Sequence, residues 1–235
     1  MFAQKKALIA ALFLVVLFFV SHVKRVDQFE NSIESAKKLG LTEVYPVGEG
    51  VPFYAPHTLD PIWEDRASSS LVRLPSLQLI DQAGVVQTEK LFQGKVTFVA
   101  FFFTSCAGFC PTLLGQLQRV ESRVKRDFPS VRFVAISVDP ENDTPRVLTD
   151  YMKKRLISGR SWTLLTGEKS KIYELARETF AAEAFELPKS KGQVSHSEHF
   201  FVIDQDLRLR GVLKGTRLDV PESAYQLLSA LKDKS

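Results

Sequence analysis

The run Val96-Thr97-Phe98-Val99-Ala100-Phe101-Phe102-Phe103, followed by Thr104-Ser105-Cys106-Ala107-Gly108-Phe109-Cys110-Pro111, decides how the rest of this 235-residue chain is read. Its first half is almost wholly apolar and rich in β-branched and aromatic side chains, the composition of a strand buried on both faces. Its second half holds the only two cysteines in the chain. Beyond Pro111, the residues Leu113, Leu114, Leu117, Val120 and Val124 recur at helical spacing. Both thiols are therefore expected on the turn that leaves a buried strand and enters a helix over 111–127. Pro111 suits the first helical position, where its missing N–H costs nothing, which puts Cys110 at about the N-cap. The unpaired N–H groups and positive dipole end of such a helix favour thiolates. Thiolate is the form that binds metal, attacks disulfides and is oxidised.

The plain alternative is a structural disulfide or two inert buried thiols. The closeness of the pair, its strand-to-helix setting and the adjoining proline count against that reading. Three residues separate the cysteines, whereas thioredoxin-type oxidoreductases use two. Two cysteines are also too few for a disulfide-stapled scaffold.

Around this centre the chain alternates strands and helices. Residues 77–87 read as a hairpin turning at Gly84. A second central strand covers 132–138, and the loop Asp139-Pro140-Glu141-Asn142-Asp143-Thr144-Pro145 leads to a helix near 145–157. A short strand at 162–165 and a helix at 168–182 follow. A polar loop, 189–197, precedes strands at 199–203 and 207–213, and a helix over 221–232 ends the chain. This order implies a three-layer α/β domain.

The N-terminal part is different. Residues 7–23 are apolar apart from Ser21 and His22, with Lys5-Lys6 before them and Lys24-Arg25 after. They would span roughly 25 Å as a helix, near the thickness of a hydrocarbon core of about 30 Å. Small residues at a cleavage site are lacking, so a retained anchor fits better than a cleaved signal peptide. Both flanks are positive and charge alone does not orient the segment. A short N-terminus before a long domain favours N-in, C-out, with the cysteines outside the cytoplasm. Residues 26–39 extend the helical pattern as a stalk. The expected division is an anchor and stalk over 1–40, a Pro/Gly-rich linker and domain entry over 41–75, and the domain over 76–235. The linker is expected to join the domain near Val51-Pro52-Phe53-Tyr54.

The net charge is +4. Residues 1–40 carry six basic and three acidic side chains, the remainder 25 and 24. With no basic stripe interleaved with aromatics, nucleic acid is not an expected partner. No hydrolase-type nucleophile–base pair and no phosphate-binding glycine loop is evident. Any enzymatic activity is expected as thiol–disulfide exchange at Cys106 and Cys110.

Three ordered motifs carry a resemblance to the Sco/SenC family of membrane-anchored thioredoxin-fold proteins. Phe103-Thr104-Ser105-Cys106-x-x-x-Cys110-Pro111-Thr112 resembles the family's metal-binding loop. Ser137-Val138-Asp139-Pro140-Glu141-Asn142-Asp143-Thr144-Pro145 resembles its second signature. Val194-Ser195-His196-Ser197, with Phe201-Val202-Ile203-Asp204 after it, resembles the segment that supplies its histidine ligand. Ala107 replaces a common proline, and Leu207 stands where the following Asp-x-Asp turn often ends in glycine. The resemblance covers about residues 50–232 and implies a thioredoxin-like three-layer sandwich behind a membrane anchor. It also implies a copper site formed by Cys106, Cys110 and His196.

The donor types suit that implication, since thiolates select Cu(I) and imidazole serves both oxidation states. Zn(II) also accepts Cys₂His with an open position, and the same cysteines could run disulfide exchange. Cis-proline-bearing exchange enzymes resemble one another at the position facing the cysteines. Here Val194-Ser195-His196 is expected there without a proline, which favours metal. His199 is a rival for the ligand role and has a plainer reading as a strand-start residue. Asp139 is either a carboxylate holding the site or a turn residue. His57 reads as a solvated loop residue and His22 as interfacial.

Three functions follow. The first is a copper metallochaperone, by resemblance assembling the binuclear copper centre of cytochrome c oxidase. Its partner would be the copper-bearing oxidase subunit or another copper protein. It would sit in the inner membrane as a single-pass protein, with the domain in the periplasm or an equivalent space. The second is a thiol-disulfide oxidoreductase that reduces partner cysteines before metallation. The third is a redox or copper sensor.

Overall fold

The computed structural model describes residues 51–55, 59–63, 71–106, 108–157, 160–182, 185–186, 194–195 and 197–232. The stretch at 7–23, the stalk at 26–39, His22, His57 and His196 lie outside these residues. Among the described residues no helix is long and apolar enough to cross a membrane.

A short antiparallel hairpin, β1 (Phe53–Tyr54) and β2 (Pro61–Ile62), opens the described chain. It is followed by β3 (Gln78–Asp81), β4 (Val86–Thr88), a 3₁₀ turn at Glu89–Leu91, and β5 (Thr97–Phe102). The helix α1 (Phe109–Val124), strand β6 (Arg132–Ser137), helix α2 (Pro145–Lys154) and strand β7 (Trp162–Thr166) come next. A helix α3 (Lys169–Glu174) continues as a π-helical turn, Leu175–Thr179. Then come a small pair, β8 (Phe185–Glu186) and β9 (Val194–Ser195), the hairpin β10 (His199–Ile203) and β11 (Leu209–Lys214), and the helix α4 (Val220–Lys232).

Seven strands form the main sheet in the order β11-β10-β5-β6-β7-β3-β4. β5, β6 and β7 run parallel, with Ala100 opposite Ala135 and Ala135 opposite Leu164. The flanking strands are antiparallel. Every residue of β5 is buried. Successive side chains point to opposite faces of a sheet, so complete burial requires cover on both. The aromatic residues show the two layers. Phe98 stacks on Phe133 at 5.5 Å, and Phe133 on Trp162 at 5.3 Å. Phe101, on the opposite face, meets Phe180 at 5.4 Å and Phe201 at 6.2 Å. Each such buried ring contributes about 1.5–3 kcal/mol relative to exposure. This α/β architecture is the one expected from the alternation of elements.

The chain around Val51–Tyr54 is built into the domain. Buried Arg210 on β11 donates to Pro52 O at 3.0 Å and Val51 O at 2.7 Å, and pairs with Asp204 at 3.2 Å. Its guanidinium lies 3.9 Å from the Phe53 ring centroid. Asp204 Oδ1 also accepts from Asp206 N and Arg208 N, both at 2.9 Å, shaping the turn between β10 and β11. Leu207 in that turn has φ 65, the left-handed region where glycine is favoured. Its side chain is buried, and that burial offsets the backbone cost.

Gly215, just past β11, leaves no room for a side chain. A Cβ there would meet Leu113 Cδ1 at 2.4 Å, Phe200 Cζ at 2.8 Å and Glu198 O at 3.0 Å. Two of these atoms end side chains, but the third is backbone. Gly215→Ala is expected to destabilise the domain by about 1–3 kcal/mol, read as a lower urea midpoint with unchanged slope. An unchanged midpoint would show that the loop moves aside freely.

Candidate metal centre

Burial on both faces carries β5 through the middle of the sheet and releases the chain at its C-terminal end as the loop 103–108. α1 begins at Phe109, with Gly108 at the N-cap and no side-chain cap. The helix thus starts earlier than Pro111 suggests. Several N–H groups of a first helical turn lack intrahelical partners, so proline is accepted there without loss of a bond. Cys110 is the second helical residue, not the cap. Its N–H is taken by the Cys106 sulfur at 3.3 Å.

The two thiols meet but differ. No disulfide joins them. Cys106 is half-buried and Cys110 fully buried. Burial by itself would raise the Cys106 thiol. The Cys110 N–H, the Cys110 thiol and the N–H groups of Gly108 and Phe109 together outweigh burial and bring it below the ordinary value. Cys110 is pushed far up, by burial first, then by the Cys106 contact and the charge on Asp143, against a backbone hydrogen bond from Phe103. The expectation that the helix start would favour both thiolates therefore holds for Cys106 alone. Desolvation overrides the helix end at Cys110.

One buried carboxylate holds the loop. Asp143 Oδ2 accepts from Thr104 N at 3.0 Å and from Ser137 Oγ at 2.5 Å, and its Oδ1 accepts from the Thr104 hydroxyl. It ties the start of the cysteine loop to the end of β6. Asp139, the carboxylate singled out from the sequence, instead accepts from Asn142 Nδ2 at 3.0 and 2.9 Å. Its carbonyl takes the N–H groups of Asn142 and Asp143. It is the turn residue, and the turn's fourth step delivers Asp143 inward. Thr144 then caps α2 through Val147 N at 3.4 Å, with Pro145 at the start. From the sequence, both acids lie in the loop leading to this helix, and Asp139, not Asp143, is the one singled out. A hint was available, because a second acid just before a cap needs a reason.

Among the described residues no group of three or more Cys, His, Asp or Glu is disposed to hold a metal ion. Cys106 and Cys110 supply two sulfurs. His199 starts β10, half-buried, with its Nδ1 3.2 Å from Ser197 Oγ, which also takes the His199 N–H at 3.2 Å. Its ring lies 6.4 Å from Phe201. β10 runs antiparallel to β5, so Ser197 and Glu198 enter it at the end of the sheet where β5 releases the cysteine loop. Neighbouring His196 lies outside the described residues. Two sulfurs at one helix start, one of them half-buried, suit a soft ion that takes a further ligand from elsewhere.

The family described as SCO1/SenC matches residues 70–232. The chain belongs to that family. A SCO1 protein homolog from Bacillus subtilis is 32% identical over 115 residues, covering 48% of this chain and 59% of that relative. The match thus spans less than two thirds of that relative's length. The structure of Bradyrhizobium japonicum ScoI with copper bound is 28% identical, with a TM-score of 0.56, covering 66% of this chain and 98% of that one. BsSco, described as holding a disulfide switch and belonging to the Sco family of cytochrome c oxidase assembly proteins, is 26% identical. Its TM-score is 0.59, over 68% of this chain and 94% of that one. The mixed sheet and helices described above are thus the fold of the SCO1/SenC family.

Proposed function

We propose that this SCO1/SenC protein is a copper metallochaperone. It binds one copper ion through Cys106, Cys110 and His196, and helps assemble the binuclear copper centre of cytochrome c oxidase. The observation that carries the proposal is the pair of cysteines joined at one helix start by the Cys110 N–H on the Cys106 sulfur at 3.3 Å, a half-buried thiol held below its ordinary value beside a fully buried one. Such a pair can grip a soft cation and still offer an open side to incoming thiolates, so the ion leaves by ligand exchange. The copper-bound relative and the family match support copper over zinc. The apolar stretch at 7–23 is proposed as the membrane anchor that keeps this domain outside the cytoplasm.

A second reading rests on the same asymmetry. An accessible low-pKa thiol backed by a buried one is also the arrangement for disulfide exchange, and a relative carries a disulfide switch. One experiment separates the two. Anaerobic Cu(I) titration of the full chain in detergent, against a competing chelator, is expected to give one tight equivalent. Cys106→Ser, Cys110→Ser and His196→Ala are each expected to weaken it at least about tenfold, and His199→Ala to leave it unchanged. Weak or non-stoichiometric binding, with disulfide reduction intact in His196→Ala, would replace the chaperone by an oxidoreductase.

A further inference from the structure

A groove of about 520 Å³ opens beside the start of β3, with Ser76, Leu77, Gln78 and Leu79 on one wall and Glu174 and Leu175 on the other. It lies where the sheet loses a strand. Successive residues of a strand direct their N–H and C=O groups to alternate sides. Asp81 N donates to Val85 O at 2.9 Å, so Asp81 and Leu79 face β4, and Ile80 and Gln78 face β7. β7 pairs with Ile80 and Asp81 alone. Past Thr166 the chain leaves β3 at Gly167, where a Cβ would meet Leu79 Cδ2 at 2.9 Å, and turns into α3. The Gln78 N–H and C=O are thereby left on that side without a strand partner among the described residues. The far wall continues as the π-helical turn Leu175–Thr179, and such turns recur at functional sites. The floor is apolar, from Leu77, Leu79 and Leu175. At the rim, Lys171 pairs with Glu168 at 3.3 Å and Glu178 with Arg177 at 2.7 Å. Glu174 and Arg73, also at the rim, have no ion-pair partner among the described residues.

We propose that this groove binds an extended peptide of a partner protein, which adds to the Gln78 edge of β3 as a strand and lays an apolar side chain on Leu79 and Leu175. Its flanking residues include a base for Glu174 and an acid for Arg73. The open backbone edge selects the occupant. A helix has spent its own N–H and C=O groups internally, whereas an extended segment offers one of each to the edge and alternates its side chains between floor and solvent. The two rim charges of opposite sign add direction, because reversing the peptide would set like charges together. No cysteine lines the groove, and the assignment stands apart from the copper reading.

The test selects random phage-displayed hexapeptides on the full chain in detergent and measures the enriched ones, fluorescently labelled, by polarisation. They are expected to carry an apolar residue flanked by charges of both signs. Gln78→Pro removes the groove-facing N–H and leaves the β4 pairing intact. It is expected to weaken binding about tenfold, and Glu174→Lys about fivefold, each with the urea midpoint measured alongside. A second measurement uses the unaltered protein and so does not depend on a variant's folding. Methylating the peptide's backbone nitrogens one at a time should abolish binding at alternate positions, as for a strand paired along one edge. The absence of any enriched peptide would overturn the proposal. So would enriched peptides that bind equally after methylation at every position, or whose binding ignores both substitutions.

Discussion

Asp143→Ala is expected to lower the stability of the domain by about 3 kcal/mol and to loosen the cysteine loop. The carboxylate satisfies the Thr104 N–H, the Thr104 hydroxyl and the Ser137 hydroxyl at once. Each of these donors, left buried without an acceptor, costs about 1–3 kcal/mol. Relief of a buried carboxylate's own desolvation offsets part of that sum. Asp143→Asn is expected to cost less, because the amide oxygen still accepts while its NH₂ meets donors it cannot serve. Copper affinity should fall in the same order, alanine below asparagine below wild type, since Thr104 begins the loop that carries both sulfurs. Urea denaturation with an anaerobic chelator competition reads both effects. An unchanged midpoint in Asp143→Ala would mean that solvent or another group replaces the carboxylate at no cost.

The second large effect is the unequal reactivity of the thiols. In the reduced, metal-free protein at neutral pH, iodoacetamide is expected to label Cys106 at least about a hundredfold faster than Cys110. Four hydrogen bonds bring Cys106 down against its burial, while burial drives Cys110 up and charge on Cys106 and Asp143 adds to it. Raising the pH toward the Cys106 value increases its thiolate fraction and its rate, and leaves Cys110 slow through the mildly alkaline range. The linkage to stability has a definite sign. The native state keeps the Cys110 proton at pH values where the unfolded chain has lost it. The stability Cys110 contributes is therefore full below the ordinary thiol value and declines as pH rises above it. Peptide mapping after timed quenching reads the two rates, and equal labelling would refute the asymmetry. If it holds, Cys106 is the sulfur that meets a partner and Cys110 the one that closes behind it.

Much of this architecture is legible in the chain because it rests on period and local chemistry. The unbroken apolar run 96–103 requires a strand covered on both faces, and the leucines after Pro111 require a helix packed along one side. Thr144-Pro145 announces a capped helix, and Gly84 a tight turn, where φ is 82. Each signal lies within one or two turns of backbone, so tertiary context has little chance to override it. The same locality made the strand-to-helix loop and its two cysteines recognisable. Boundaries were less secure. The π-helical turn at Leu175–Thr179 and the early start of α1 depend on how each helix end meets the rest of the domain.

What the sequence by itself determined is the order of the main-sheet strands and their helices, the family resemblance and the presence of two thiols at a strand-to-helix turn, while the short pairs β1–β2 and β8–β9 carry no such pattern. What only the tertiary structure decided is which carboxylate serves that turn and how the thiols differ. Asp139 and Asp143 are four residues apart and chemically identical, and the folding of their turn turns one to Asn142 and the other to Thr104. Cys106 and Cys110 share one helix end, yet the packing that buries Cys110 leaves Cys106 half open. Desolvation and hydrogen-bond partnership come from groups distant in sequence, so no local pattern encodes them.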